Sequence, residues 1–461
     1  MNSEKYDAVI IGTGQAAVPL ARKLASENLS TAVIERAHPG GSCINYGCTP
    51  TKTMLASAKL AWETAHSEEW GVFCENSRVN MDKIIQRRDA IIMSGRKSVE
   101  QALSNNDRID LIFGVAKFSG PKKVTVVTND GHEYEISADR FFINTGSTAN
   151  IPPIEGIEKI NFYHQKNIMD ITTIPLNLII VGGGNIGVEF GQMFSRFGSN
   201  VTIIEAGDQL LPKEDRDAAE EMQSILEREG IAVHLSTMPK KVVQENRHSI
   251  NLTAENGGKE VDISGSHLLI ATGTSPATFE LNTAAAGIET NKSGYIKVND
   301  KCETSSSGIF ALGDCKEGAE FTHIAYDDYR IVADHLFGKN ERSLSNRILS
   351  YTVFTDPQLA TVGMNEKSAN EKGIDYKVAK IPMSEVARGY ETNHTDGFMK
   401  ALINPKDDTI LGCTFIGEVA GETMAIIQIA MLAGMKYTGL RDRPFAHPTY
   451  AEGLNNLFMA V

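Results

Sequence analysis

Residues 7–35, DAVIIGTGQAAVPLARKLASENLSTAVIE, and residues 177–205, NLIIVGGGNIGVEFGQMFSRFGSNVTIIE, are one pattern written twice. Each runs from an apolar strand through a glycine-rich turn into an amphipathic helix, then into a second strand that ends on Glu. Gly12, Gly14, Ala17 and Glu35 recur as Gly182, Gly184, Gly187 and Glu205, every one 170 positions further on. This is the βαβ fingerprint of dinucleotide binding. The first glycine permits a tight turn and the second lets backbone approach a pyrophosphate. The third position must be small so that helix and strand can pack. The helix N-terminus offers unpaired N–H groups and a favourable dipole to the phosphates. The terminal acid accepts hydrogen bonds from an adenosine ribose. One such motif is weak; two in the right context, each with its acid, predict two nucleotides. A carboxylate at Glu205 pairs with a free 2′-hydroxyl and repels a 2′-phosphate, so NADH is favoured over NADPH. Lys213 and Arg216, further along, soften that preference.

The remaining segments are punctuated around this repeat. Residues 141–143 and 268–271 are apolar strands that run into Thr145-Gly146 and Thr272-Gly273, with prolines at 152, 153 and 276 soon after. Such sites read as crossings between domains. Residues 309–314 form another buried strand, ending in Gly-Asp, where Asp314 can bind a second polyol. Beyond about residue 345 the strand-like segments 398–403 and 410–416 precede an apolar helix over 422–435, an α+β pattern. That helix is apolar nearly all round, as one buried between subunits is. A chain of 461 residues exceeds one core. The expected division is a discontinuous domain at 1–150 and 276–344, a second at 151–275 and a third at 345–461.

Of six cysteines, Cys43 and Cys48 form a close pair in Gly40-Gly41-Ser42-Cys43-Ile44-Asn45-Tyr46-Gly47-Cys48-Thr49-Pro50-Thr51-Lys52. In a reducing compartment such a pair is catalytic or metal-binding more often than structural. Positions five apart on a regular helix diverge. The glycines and Pro50 point to a distorted helix start that brings the sulfurs together. A helix N-terminus also lowers a thiol pKa. Two unrelated cysteines, or a metal site, are the alternatives; no further Cys/His cluster of ligand spacing accompanies the pair, and no metal is expected. Cys74, Cys302, Cys315 and Cys413 are read as small buried hydrophobes. His447 stands five residues before Glu452; a histidine there can protonate a leaving thiolate, with the carboxylate supporting the cation.

The net charge of −13 argues against nucleic-acid and anionic-membrane partners, which need clustered positive charge. No secretory signal is read at the N-terminus, and the run at 424–435 is too short to span a bilayer. A soluble cytoplasmic protein is expected.

Taken in order, GTGQAA…E, GGSCINYGCTPTK, GGGNIGVE…E, ATGTSP, GIFALGDC and HPTYAE give the whole chain a specific resemblance. It resembles the class-I pyridine nucleotide–disulfide oxidoreductases, the family of glutathione reductase, dihydrolipoamide dehydrogenase and mercuric reductase. The resemblance implies two Rossmann-like α/β domains, for FAD at 1–150 with 276–344 and for NAD at 151–275, and a C-terminal α+β dimerisation domain. It implies that Gly12, Gly14, Ala17, Glu35, Gly41, Ser42, Thr145, Gly146 and Asp314 hold FAD. Gly182, Gly184, Gly187, Glu205 and Gly273 then serve the nicotinamide cofactor. Lys52 lies near the flavin and pairs with Glu189. Cys48 is the flavin-facing thiol and Cys43 the interchange thiol. His447 and Glu452 come from the partner of a homodimer. Asn185 takes the place of a tyrosine gate, and Thr274 stands where many relatives carry Arg.

Pro50-Thr51-Lys52, the segment 321–330 and Phe354-Thr355-Asp356-Pro357 resemble the mercuric-reductase-like and reactive-chlorine-resistance branch. Unlike mercuric reductases, the segment 456–461 has no vicinal cysteine pair. The expected activity is NADH-driven reduction, through FAD and Cys43–Cys48, of a metal ion, small disulfide or electrophile. Dihydrolipoamide dehydrogenase is the alternative, and a catalytically silent flavin-binding redox sensor a lesser one. His323, Tyr326 and Tyr329 are read evenly as flavin-site lining or as helix packing.

Overall fold

The structure, a computed structural model, describes residues 3–246 and 249–461. The first repeat forms strand β1 (Ser3–Ile11), helix α1 (Ala17–Ser26) and strand β2 (Thr31–Glu35). Two helices follow, α2 (Gly41–Asn45) and α3 (Cys48–Ala65), then the long α4 (Met81–Ser104). Strands β3 (Ile109–Gly120), β4 (Lys123–Thr128) and β5 (Glu133–Ile143) make a meander. β1 lies parallel between β2 and β5, with β3 beyond β2. Side chains on β1 alternate, as a strand covered on both faces requires. Ala8 and Ile10 pack with α1, while Val9 and Ile11 face the meander and its neighbours.

A three-residue strand, β6 (Ser147–Ala149), leads out of this unit. The second repeat is β7 (Asn177–Val181), α5 (Asn185–Phe197) and β8 (Asn200–Ile204), followed by α6 (Arg216–Arg228) and β9 (Ala232–His234). A second meander, β10 (Thr237–Asn246), β11 (Ser249–Asn256) and β12 (Lys259–Gly265), precedes β13 (His267–Ile270). The plan copies the first unit: β7 is parallel and central between β8 and β13. Leu178 and Ile180 face one core, and Ile179 and Val181 the other. β14 (Thr274–Pro276) returns the chain antiparallel to β6, so the outward and return crossings pair. β15 (Ile309–Ala311) then joins the first sheet beside β5, and α7 (Thr322–Phe337) follows.

The C-terminal part is a five-stranded antiparallel sheet. Its strands are β16 (Ser350–Val353), β17 (Gln358–Gly363), β18 (Lys377–Pro382), β19 (Phe398–Ile403) and β20 (Ile410–Gly417), in the order 16-17-20-19-18. Helices α8 (Glu366–Glu371) and α9 (Ala387–Glu391) interrupt it, and α10 (Ala420–Leu432) packs across it. α10 stops three residues before the expected end, where Gly434 takes a positive φ. One face of α10 buries Met424, Ile427 and Ala430, whereas Ile429 and Leu432 are exposed on this chain. Among the described residues no helix is long and apolar enough to cross a membrane.

Candidate active site

Both glycine turns are forced by the same contact. Gly12 sits at φ +95°, and a Cβ there would lie 2.4 Å from the Asn144 carbonyl oxygen. Gly182 sits at φ +112°, and its Cβ would lie 2.4 Å from the Ala271 carbonyl oxygen. A side chain is excluded by conformation and by space together. The two terminal acids also match. Glu35 accepts from the backbone N–H of Thr13 at 3.0 Å and of Ala37 at 2.9 Å. Glu205 accepts from Gly183 and Gly207, each at 2.7 Å. Each acid is thereby held against its own glycine turn.

A cavity of about 1570 Å³ runs from the first turn across to the second unit. Of the expected cofactor residues, Gly12, Gly14, Glu35, Gly41, Ser42, Thr145, Gly146, Gly184, Gly273 and Asp314 line it. Ala17, Gly182, Gly187 and Glu205 do not line it. A Cβ on Gly41 would lie 2.6 Å from the Gly14 Cα, so these loops form a tight cradle. Asn144 Nδ2 and Thr145 Oγ1 are buried in the lining without a hydrogen-bond partner. Polar atoms in that position match a polar ligand such as a dinucleotide. The residues present therefore fit FAD.

The cysteines occupy a broken helix. Cys43 lies within α2, the chain turns at Tyr46 and Gly47, and Cys48 begins α3. Both are free thiols in this structure and both line the cavity. A thiol hydrogen bond toward Cys48, then burial, pushes Cys43 far up and leaves it protonated. The same bond is the main cause that brings Cys48 down to about 6, with the Thr322 hydroxyl and Lys52 helping. Thr322 Oγ1 lies 3.0 Å from Cys48 Sγ and donates to it as a thiolate. Lys52, one turn along α3, pairs with Glu189 of α5 at 2.7 Å. Glu189 also accepts from the Phe354 N–H at 2.8 Å, and Lys52 lies over the Phe354 ring. Burial, then the neighbouring Glu320, raises Asp314 to about 6.

Other expected residues fall elsewhere. His447 Nδ1 lies 2.8 Å from Glu452, and neither lines the cavity of this chain. His323 lines it and donates from Nε2 to the Ser350 carbonyl at 2.7 Å. Tyr326 and Tyr329 face a separate groove between α1 and α4. Asn185 is in the lining. Cys302, Cys315 and Cys413 are buried, but Cys74 is exposed, contrary to expectation: it lies between α3 and α4 in a loop with no core beneath it. Thr322, Glu320 and Tyr295 were not singled out from sequence. Thr322 bonds across 274 positions, which no local pattern reveals.

A chain that repeats a dinucleotide unit and sets a dithiol in the cavity between the copies is built as a two-nucleotide dithiol enzyme. Residues 6–328 match the pyridine nucleotide-disulphide oxidoreductase family, and residues 349–458 match its dimerisation domain. The chain belongs to that family and is an FAD-dependent oxidoreductase that uses a pyridine nucleotide. It is 36% identical to the probable pyridine nucleotide-disulfide oxidoreductase RclA of Escherichia coli, over 99% of each chain. It is 31% identical to a mercuric reductase of Lysinibacillus sphaericus, covering 98% of this chain and 82% of that one. A dihydrolipoyl dehydrogenase of Thermus scotoductus is 32% identical, over 97% and 96%. A solved structure, the Cu(II) complex of the HOCl-induced flavoprotein disulfide reductase RclA from Escherichia coli, covers all of both chains with TM-score 0.90 at 36% identity.

Proposed function

We propose that this protein is an NADH-dependent reductase whose Cys43–Cys48 pair passes two electrons to a metal ion or a small disulfide. The reading rests on one observation above the others: Cys43 and Cys48 both line the cofactor cavity as free thiols, with Thr322 Oγ1 3.0 Å from Cys48 Sγ. FAD, when bound, would supply the redox chemistry by which two electrons from the nicotinamide reduce the Cys43–Cys48 disulfide to the dithiol. It is held by Gly12, Gly14, Ala17, Glu35, Gly41, Ser42, Thr145, Gly146 and Asp314, in a domain of residues 1–150 and 276–344. Residues 151–275 hold NADH through Gly182, Gly184, Gly187, Glu205 and Gly273.

The chain's own groups divide the remaining work. Cys48 carries the negative charge, steadied by Thr322 and Lys52. Cys43 keeps its proton until an acceptor arrives, then attacks as the thiolate. In a homodimer joined through residues 345–461, His447 of the partner subunit takes that proton at Nε2, and its Nδ1 rests on Glu452. The Cu(II) complex formed by the Escherichia coli relative supports a metal ion as one acceptor. The dihydrolipoyl dehydrogenase relatives favour a second reading, oxidation of a dithiol by NAD⁺. A reducing cytoplasm suits either.

The test is an anaerobic NADH titration of the FAD-loaded protein, wild type against Cys48→Ala. The expected result is a long-wavelength thiolate-to-flavin band at two-electron reduction, absent from the variant. Direct bleaching without that band in the wild type overturns the dithiol relay. Assays with Cu(II), small disulfides and dihydrolipoamide with NAD⁺ then separate the acceptors.

A further inference from the structure

The paired crossings β6 and β14 each send one hydroxyl toward the cofactor cavity. Ser147 Oγ donates to Asp314 Oδ2 at 3.3 Å, and Thr274 Oγ1 donates to Glu320 Oε2. The other oxygen of Glu320 accepts from the Tyr295 hydroxyl at 2.7 Å. Both oxygens of Glu320 are thus held by neutral hydroxyls, and all three residues line the cavity. Glu320 stands two residues before Thr322, the first residue of α7, whose hydroxyl meets Cys48 at 3.0 Å. Phe321, between them, stacks on Tyr351 with ring centroids 5.0 Å apart. The start of α7 is therefore pinned by hydrogen bonds at one residue and by stacking at the next.

We propose that Glu320, clasped by Thr274 and Tyr295, is a positioning residue that fixes the start of α7 so that Thr322 stays bonded to Cys48. The proposal rests on Cys48 being the redox thiol. It has a sign that plain electrostatics does not share. Glu320 and Cys48 both act on Asp314, so they occupy one neighbourhood. Removing a carboxylate there favours the thiolate and lowers the Cys48 midpoint. Loosening Thr322 removes a donor from the thiolate and raises it. The other groups facing this sulfur, Cys43, Lys52, Glu189 and Asp314, stay unchanged in every variant used.

The experiment follows the Cys48 midpoint in the reduced FAD-loaded protein. It is read by the pH dependence of the long-wavelength band and by the rate of Cys48 alkylation with iodoacetamide, located by mass spectrometry. The variants are Thr274→Val with Tyr295→Phe, Glu320→Gln, Thr322→Val, and Glu320→Gln with Thr322→Val. In the first two the midpoint rises by about one pH unit, so the thiolate fraction at the wild-type midpoint falls about fivefold. Thr322→Val gives a similar rise, and Glu320→Gln produces no further rise in that background. A midpoint that is unchanged or lower in Glu320→Gln overturns the proposal, as do rises that add in full. If the paired variant does not fold, Thr274→Val and Tyr295→Phe singly carry the test, each with a smaller rise. A wild type without the band counts against the dithiol relay, and alkylation still decides on the clasp.

Discussion

Lys52 Nζ lies 2.7 Å from Glu189 Oε2, and this bond joins the helix that starts at Cys48 to the helix of the second repeat. Glu189 is nearly buried and its other oxygen is taken by the Phe354 N–H. The carboxylate is thus fixed, and the ammonium group is fixed by it inside the cavity. Lys52→Met removes the cation beside the reacting groups and leaves Glu189 without its partner. Reduction of the protein by NADH in stopped flow is expected to slow about 10²-fold, in line with loss of one preorganised charge. Glu189→Gln keeps an acceptor for the Phe354 N–H and is expected to slow it less. Equal rates in Lys52→Met and wild type would remove Lys52 from the chemistry.

The dithiol sets a pH window. An ordinary thiol stands near 9, and in the reduced protein Cys48 is brought down to about 6. The Cys48 thiolate is accordingly present above pH 6 and lost as pH falls through it. Its folded value is depressed, so the stability it contributes is fully present only above the unfolded value, near 9, and is gone below 6. The reduced protein is expected to gain melting temperature from pH 6 toward 9 relative to Cys48→Ser. Thermal melts across that range under anaerobic conditions check this; parallel curves for the two proteins contradict it.

The parts of this arrangement that sequence disclosed are those with a local period. The glycine turns and their acids recur at one offset, and β1 and β7 take matching places in their sheets. The cysteines were visible because they sit five apart among glycines. What stayed hidden was long-range. Thr322 reaches Cys48 only because β15 brings the chain back to the first sheet. Glu320 is defined by Thr274 and Tyr295, each of which is unremarkable in its own segment. Cys74 misled because burial depends on what packs over a loop, which the composition of that loop does not state.

Glu205 makes a cofactor prediction. Its two oxygens hold the Gly183 and Gly207 N–H groups, which places a fixed negative charge beside the second glycine turn. A 2′-phosphate brought there meets like charge. Glu205→Ala is expected to lower the ratio of kcat/KM for NADH over NADPH by roughly 10- to 100-fold, the equivalent of about 1.4–2.8 kcal/mol. Since the variant also frees two backbone donors, both cofactors lose some affinity, and the ratio is the quantity to compare. A ratio that does not move assigns the discrimination to other residues.

Lys400 makes a stability prediction. Its side chain is 1% exposed, and Nζ lies 2.7 Å from Asp215, 2.7 Å from Asp217 and 2.9 Å from Glu366. Asp215 and Asp217 belong to the start of α6, just after the second repeat, whereas Lys400 and Glu366 come from the C-terminal sheet and its helix α8. The cation therefore fastens one unit to the other, and it fills the space that three clustered carboxylates would otherwise offer a metal ion. Burying a charge is costly unless it is paired, and removing one partner strands the rest. Lys400→Met leaves three acids facing one another around an apolar side chain. The expected loss is about 3–5 kcal/mol, seen as a drop of several degrees in the melting temperature of the FAD-loaded protein. Asp215→Asn added to Lys400→Met removes the most buried of the stranded charges, so part of the loss is recovered. If Lys400→Met melts with the wild type, the seam between these units is held by its other contacts and the buried cation contributes little.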